Sequence, residues 1–419
     1  MKRIGSIPCV AFTVTVLFCV PFGARGLDWP QWRGPDRTDV SKETGLLKEW
    51  PAGGPKRFWL YKNAGQGYSG PAVTDGKMFT LGTRDGAEVL LALDANTGQE
   101  LWTAKVGDVL KNSYGDGPRG TPAVDGSRVY ALGGQGTLVC VQAADGEVVW
   151  QQTMQGLGGG IPRWGYAESP LVDGNQVVCT PGGGKGAIAA LDKVSGKVLW
   201  QSKEFTVPAH YSSPIVAEPH GTRQYIQLTE KALVGVSASD GKLLWKSSWP
   251  GSTAVIPTPI YQDAQVYVTS GYGAGCKLVR ISAGNKVSDV YQNKVMKNHH
   301  GGALLVGDHI YGHSDGAGWV CQNLKTGEEV WSHRGFGKGA IAGADGMLYC
   351  LEEGSGTVVL IEASPKGWKE HGRFKLDPQS KIRSGSGNIW THPVIANGKL
   401  YLRDQDLIYC HDIKGGKES

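Results

Sequence analysis

Five copies of one short pattern limit what this chain can fold into. Residues 91–102 (LALDANTGQELW) read as a strand, a polar turn closed by Gly98 and a second strand carrying Trp102. Segments 139–150, 188–200, 233–245 and 320–331 repeat it, with Gly98, Gly146, Gly196, Gly241 and Gly327 each four residues before the tryptophan. Four residues before each glycine stands a polar residue: Asp94, Gln142, Asp192, Ser237 and Asn323. Successive tryptophans are 48, 50, 45 and 86 residues apart, the last being twice 43. A period in the forties made of strands and turns means a propeller or a similar array.

A second signature opens each repeat: a small residue and often Pro, a short strand, an Asp-Gly-like turn, and another strand. It occurs at 69–80, 121–132, 169–180, 213–228, 258–270, 302–314, 339–351 and 392–404, eight times in all. Such a pair is a hairpin. Added to the tryptophan-bearing pair it gives four antiparallel strands, which is one blade. Where the tryptophan is missing, Tyr291 and Phe374 fall near its position. The eighth repeat stops one strand short at 406–412, and the unassigned strand 57–62, with Trp59, is expected to complete it. Pairing the two chain ends removes open sheet edges. The expected fold is therefore all-β, an eight-bladed propeller over 57–419. Residues 27–56, rich in Pro, Gly and Trp without periodicity, are read as a strap over the surface, anchored by Trp29, Trp32 and Trp50.

Residues 1–26 carry Lys2-Arg3, an uncharged run from Ile4 to Phe22, and small residues at Ala24 and Gly26, the pattern of a cleaved export signal. The competing assignment is a retained anchor, which Pro21 and Gly23 interrupt. Without this segment the formal charge falls from +5 to +2, because Lys2, Arg3 and Arg25 leave with it. A nearly neutral body with no charge run excludes nucleic acid as the expected partner. The six remaining cysteines (Cys140, Cys179, Cys276, Cys321, Cys350, Cys410) lie in strand-like runs with no CxxC, as small buried hydrophobes do. The glycine run 182–186 has no helix after it, so it is a hairpin loop rather than a phosphate loop.

Ala92-x-Asp94-x-x-Thr97-Gly98-x-x-x-Trp102 resembles the tryptophan-docking motif of pyrroloquinoline quinone (PQQ)-type β-propellers, and the likeness covers nearly all of 57–416. The opening Asp28-Trp29-Pro30-Gln31-Trp32-Arg33-Gly34-Pro35 is similar to the start of many exported PQQ-like repeat proteins. That family includes quinoprotein alcohol dehydrogenases and the cofactor-free BamB propellers of outer-membrane assembly, so the resemblance implies a fold and leaves function open. It implies a packing role for Trp59, Trp102, Trp150, Trp200, Trp245 and Trp331.

Residues just before each inner strand should surround the mouth of the central channel. They are Tyr68, Arg119, Trp164, Tyr166, Glu168, His210, Tyr211, Asn298, His299, His300, Lys338, Trp390 and His392. Three chemistries compete for this ring. A PQQ site would set Arg119 and Lys338 against the quinone carboxylates and Trp164 or Trp390 on its face, with Glu168 and Asn298 as Ca²⁺ ligands. The adjacent cysteine pair of the quinoprotein dehydrogenases is absent. A metal site would join His210, His299, His300 and His392, although neighbours on one strand point to opposite faces. The leading reading is a cofactor-free binding or scaffolding module, periplasmic or otherwise exported. It is expected to be a monomer without a transmembrane segment once mature, and to bind an envelope protein, peptide or glycan at the mouth. The alternative is a PQQ-dependent oxidoreductase acting on an alcohol or sugar.

Overall fold

The computed structural model describes Met1 and residues 27–416; the expected export leader lies outside the described residues. Eight four-stranded antiparallel blades occupy 72–108, 123–153, 171–201, 215–248, 260–293, 303–333, 339–375 and 394–412, the last completed by Arg57–Tyr61. Each blade starts with a short, largely buried inner strand and ends on an exposed outer one. In blade 1 these are Ala72–Thr74 and Glu100–Asp108. Among the described residues no helix is long and apolar enough to cross a membrane.

The sheets alternate apolar residues to both faces because each blade is covered on both sides by its neighbours. Eight apolar clusters result, one at each join. Phe79, Leu81 and Leu90 of blade 1 meet Val129, Ala131 and Val139 of blade 2. Blade 7's Tyr349 and Leu351 meet blade 8's Leu400 and Leu402. The six cysteines among the described residues are buried in these layers, with no disulfide between them.

At the perimeter the repeated motif builds a belt. The turn is capped by its polar residue: Asp94 Oδ1 accepts the Asn96 and Thr97 amides at 2.9 and 2.8 Å, and Asn323 does the same for Lys325 and Thr326. Each indole then lies on the next blade's turn. Trp59, Trp102, Trp150 and Trp331 donate Nε1–H to the carbonyls of Ala95, Ala143, Lys193 and Ser364. The motif glycine is the seat. Gly146 has φ +80, and a Cβ there would come within 2.5 Å of the Trp102 ring, so no other residue fits both demands. Tyr291 performs the same task from blade 5, its hydroxyl donating to Leu324 O at 2.9 Å. Trp245 departs: its Nε1 donates to Gln224 Oε1 of its own blade, because blade 5 replaces the capped turn with the short helical turn Ala283–Asn285.

The ring closes through the first and last strands. Trp59 pairs with Cys410 and Tyr61 with Ile408, antiparallel. Arg403 reinforces the join from inside blade 8. Its fully buried guanidinium donates to the carbonyls of Ser69, Leu81 and Gly65 and to Thr80 Oγ1, all belonging to blade 1 or the segment leading into it.

The segment expected to strap the surface crosses the disc from blade to blade, with Trp29, Arg33, Arg37 and Asp39 buried and residues 35–36, 42, 44–45 and 48–49 exposed. Trp29 bridges Val73 of blade 1, Pro30 O accepts the Val124 amide of blade 2, and Arg37 donates to carbonyls of blades 3 and 4. Trp32 reaches Thr258 of blade 5, Arg33 reaches Ala303 O of blade 6, and Val40–Ser41 adds a parallel strand to blade 7. Leu46 and Leu47 finish on blade 8. One short stretch thus touches every blade. Its buried Arg33 and Arg37 are accommodated because they donate to carbonyls at the entrances of the inner strands.

Candidate functional site

Around the axis, the segments entering the inner strands form a cup of about 210 Å³. Tyr68, Arg119, Trp164, Tyr211, His299, His300, Trp390 and His392 line it together, drawn from six blades. Trp32 from the N-terminal segment, Tyr114, Tyr272, Ser169 and Ser213 also line it and were not singled out from the sequence as mouth residues. Trp32 is held by its bond to Thr258 Oγ1 (2.9 Å) and by the His392 ring at 4.6 Å.

The wall is nearly continuous in aromatic rings. Tyr211 lies 5.6 Å from Trp164, Tyr114 stands 6.4 Å from both Trp164 and Trp390, and Trp390 lies 4.9 Å from Tyr68 and 5.0 Å from His300. His299 continues the wall at 4.1 Å from His300, and Tyr272 sits edge-on to His299 at 4.7 Å. Strand alternation argued that the two histidines could not share a face. Residues 299–300 are not in a strand, so alternation does not apply and both line the cup. Burial holds His299 down to about 4 and His300 well below its ordinary value, leaving both rings neutral at neutral pH.

Four residues of the expected ring lie elsewhere, each for a local reason. Gly165, at φ +77, turns the chain so that Tyr166 enters the blade 2–3 core, where its hydroxyl donates to Gly160 and Pro181 carbonyls at 3.0 Å. Glu168 is buried, accepts the Thr180 amide and faces Arg37; burial pushes its carboxyl up to about 7. Asn298 is buried and donates its Nδ2–H groups to the carbonyls of Gly302 and His313 at 2.8 and 3.0 Å. His210 stands behind Tyr211, its Nδ1 accepting the Val255 amide and its Nε2 3.8 Å from Glu230. Lys338 does not line the cup but buttresses it, with Nζ 2.9 Å from His299 Nδ1 and 2.8 Å from Asp315.

Beneath and behind the lining are buried charges that the sequence did not flag. Arg33 and His392 share the Asp39 carboxylate, at 2.9 and 3.1 Å. Glu353 lies 3.3 Å from His300 Nδ1, off the line of a hydrogen bond, and burial raises it to about 7. No carboxylate reaches the cup itself. Among the described residues no three His, Cys, Asp or Glu side chains converge as a metal site would require. The residues expected to ligate Ca²⁺, Glu168 and Asn298, are buried and do not line the cup, so they bring no oxygen ligand into it.

Comparison with known proteins places this architecture. A family model described as outer membrane protein assembly factor BamB matches residues 85–333, more than half of the chain. The solved BamB of Moraxella catarrhalis is similar at 16% identity with a TM-score of 0.60, covering 87% of this chain and 99% of that one. Quinohemoprotein alcohol dehydrogenase from Comamonas testosteroni is similar at 12% identity and TM-score 0.62, covering 94% of this chain and 81% of its own. Both likenesses show the fold. By sequence the chain is 32% identical over 173 residues to serine/threonine-protein kinase AfsK of Streptomyces griseus. It is 25% identical over 232 residues to tetrathionate hydrolase of Acidithiobacillus ferrooxidans. It spans 20% and 44% of those two relatives, well short of their full length. With the family model matched across its central blades and eight PQQ-like blades closed into a ring, this chain belongs to the BamB family of β-propellers.

Proposed function

We propose that the protein is an exported binding module of the cell envelope whose working surface is the axial cup and its rim. The observation that carries this reading is the convergence of aromatic side chains from separate blades on a cup whose floor is closed by Trp32. Rigid aromatic surfaces give large contact area at little conformational cost, which is why they dominate recognition sites. Membership of the BamB family supports a partner-binding role, and the partner would be an envelope protein, peptide or glycan. A photo-crosslinking residue at Tyr114, on the rim, and another at Val149, on the outer edge of blade 2, test the reading in the producing cell. Adducts at position 114 and none at 149 are expected; the reverse pattern would refute the cup as the working surface.

The aromatic walls also favour a second reading, PQQ binding. Trp164 and Trp390 could face the quinone ring and Arg119 a carboxylate, and the quinone would supply two-electron redox chemistry when bound. The residues expected to hold its Ca²⁺, Glu168 and Asn298, do not line the cup. Titration with PQQ, followed by tryptophan quenching, should show no gain from added Ca²⁺. A saturable, Ca²⁺-dependent complex weakened by Arg119→Ala would restore the oxidoreductase reading.

A further inference from the structure

Two buried guanidinium groups flank the cup, and neither has a carboxylate within ion-pair distance among the described residues. Arg119, in the wall, donates Nε–H to Trp164 O at 2.7 Å and Nη2–H to Gly115 O at 3.1 Å, while its Nη1 has no partner. Arg37, under the floor, donates to the carbonyls of Ser169, Pro170 and Pro214. Neutral carbonyls hold these cations in place without cancelling their charge. Glu168 offsets Arg37 only in part, since burial raises that carboxyl to about 7.

The same turns present two hydroxyls to the cup. Ser169 Oγ accepts the Thr121 amide at 2.8 Å, and Ser213 Oγ accepts the Ser169 amide at 2.9 Å. Each oxygen is thereby oriented, and neither hydroxyl proton has an acceptor among the described residues. Both serines are buried and line the cup, and Arg37 binds the carbonyl of Ser169 itself and that of Pro214, next to Ser213. Paired donors beside a cation that is only partly offset make an oxyanion site. A cationic guest would meet two like charges and no acid. A neutral polyol would meet hydroxyls and imidazoles but no carboxylate or amide side chain to pair with its hydroxyls two at a time.

We propose that the cup takes a ring-bearing monocarboxylic acid, without a metal ion. Its carboxylate would rest on the Ser169 and Ser213 hydroxyls above Arg37, and its ring would lie against Trp164 and Trp390. This rests on the reading of the cup as the binding surface and names the chemistry of what enters it. Isothermal titration calorimetry of the full chain in EDTA, with 2-naphthoate, 2-naphthamide and (2-naphthylmethyl)ammonium, separates the contributions. The acid should bind one to one, at least tenfold more tightly than the amide, with no measurable heat from the cation. Ser213→Ala, its melting temperature checked, should bring the acid-to-amide ratio toward one. Equal affinity for acid and amide would overturn the anion site while leaving the cup a ring-binding surface. Binding of none of the three would overturn the proposal outright, and the crosslinking pattern at positions 114 and 149 would still judge the cup independently.

Discussion

The perimeter belt and the axial cup are made from the same eight repeats and obey opposite rules. At the belt one solution recurs from join to join: a capped turn, a left-handed glycine and an aromatic ring laid on it. At the axis the large side chains differ from blade to blade. Trp164 lines the cup while Tyr166, two residues on, is core. The belt sits between identical neighbours, so close packing imposes one answer at each join. The cup has solvent on one side, and packing does not dictate its residues. Where the repeat is kept, the residues hold the disc together. Where it is broken, they are free to recognise something.

Tests of this division can be ordered by expected effect on folding. Deleting Arg57–Tyr61 removes the closing strand and bares the edge of Leu407–Asp412, and should abolish cooperative unfolding. A deletion variant that melts like the parent would mean that closure is not what holds the ring. Trp150→Ala leaves a void at the blade 2–3 join and should cost about 3–5 kcal/mol in denaturant unfolding. Ligand affinity of the folded remainder should stay unchanged; a parallel loss of binding would break the separation between belt and cup. Gly146→Ala keeps every ring but forces a Cβ against Trp102 at positive φ, for about 2 kcal/mol.

Glu168 sharpens the comparison from inside. Its carboxyl is raised from 4.5 to about 7, chiefly by burial, with Arg37 opposing and Tyr166 and Cys179 close by. A raised acid holds its proton more firmly in the folded state. Its contribution is therefore present below about pH 4.5 and is lost as the pH rises toward 7. Glu168→Gln should remove that slope, making the variant more stable than the parent by about 1–3 kcal/mol at pH 8 and indistinguishable from it near pH 4. Glu353 adds a slope of the same sign, so the difference between parent and variant is the quantity to follow. A difference that does not change with pH would contradict the buried-acid assignment.

Much of the belt was legible because its chemistry is local. Asp94, Gly98 and Trp102 lie within nine positions, and the period exposes them. Even closure could be read, since Arg57-Phe58-Trp59 supplies the strand that the eighth repeat lacks. The cup was legible only in outline. Proximity to an inner strand put Tyr68, Trp164 and Trp390 in it, but orientation in a loop follows no period, and Glu168 and Asn298 were turned inward by bonds to Thr180 and Gly302. Trp32 was read as a surface anchor because 27–56 has no repeat to compare it with. Tyr114 had a usable signal: an aromatic in a long loop between an outer strand and the next inner one.

Trp390→Ala should cost the fold least and the site most, and it tests the central claim most directly. The measurement is calorimetric affinity for 2-naphthoate, taken beside the melting temperature of the same sample. The account predicts binding lost or weakened at least tenfold with the melting temperature within about 2 °C of the parent. Unchanged affinity in a normally folded variant would contradict it.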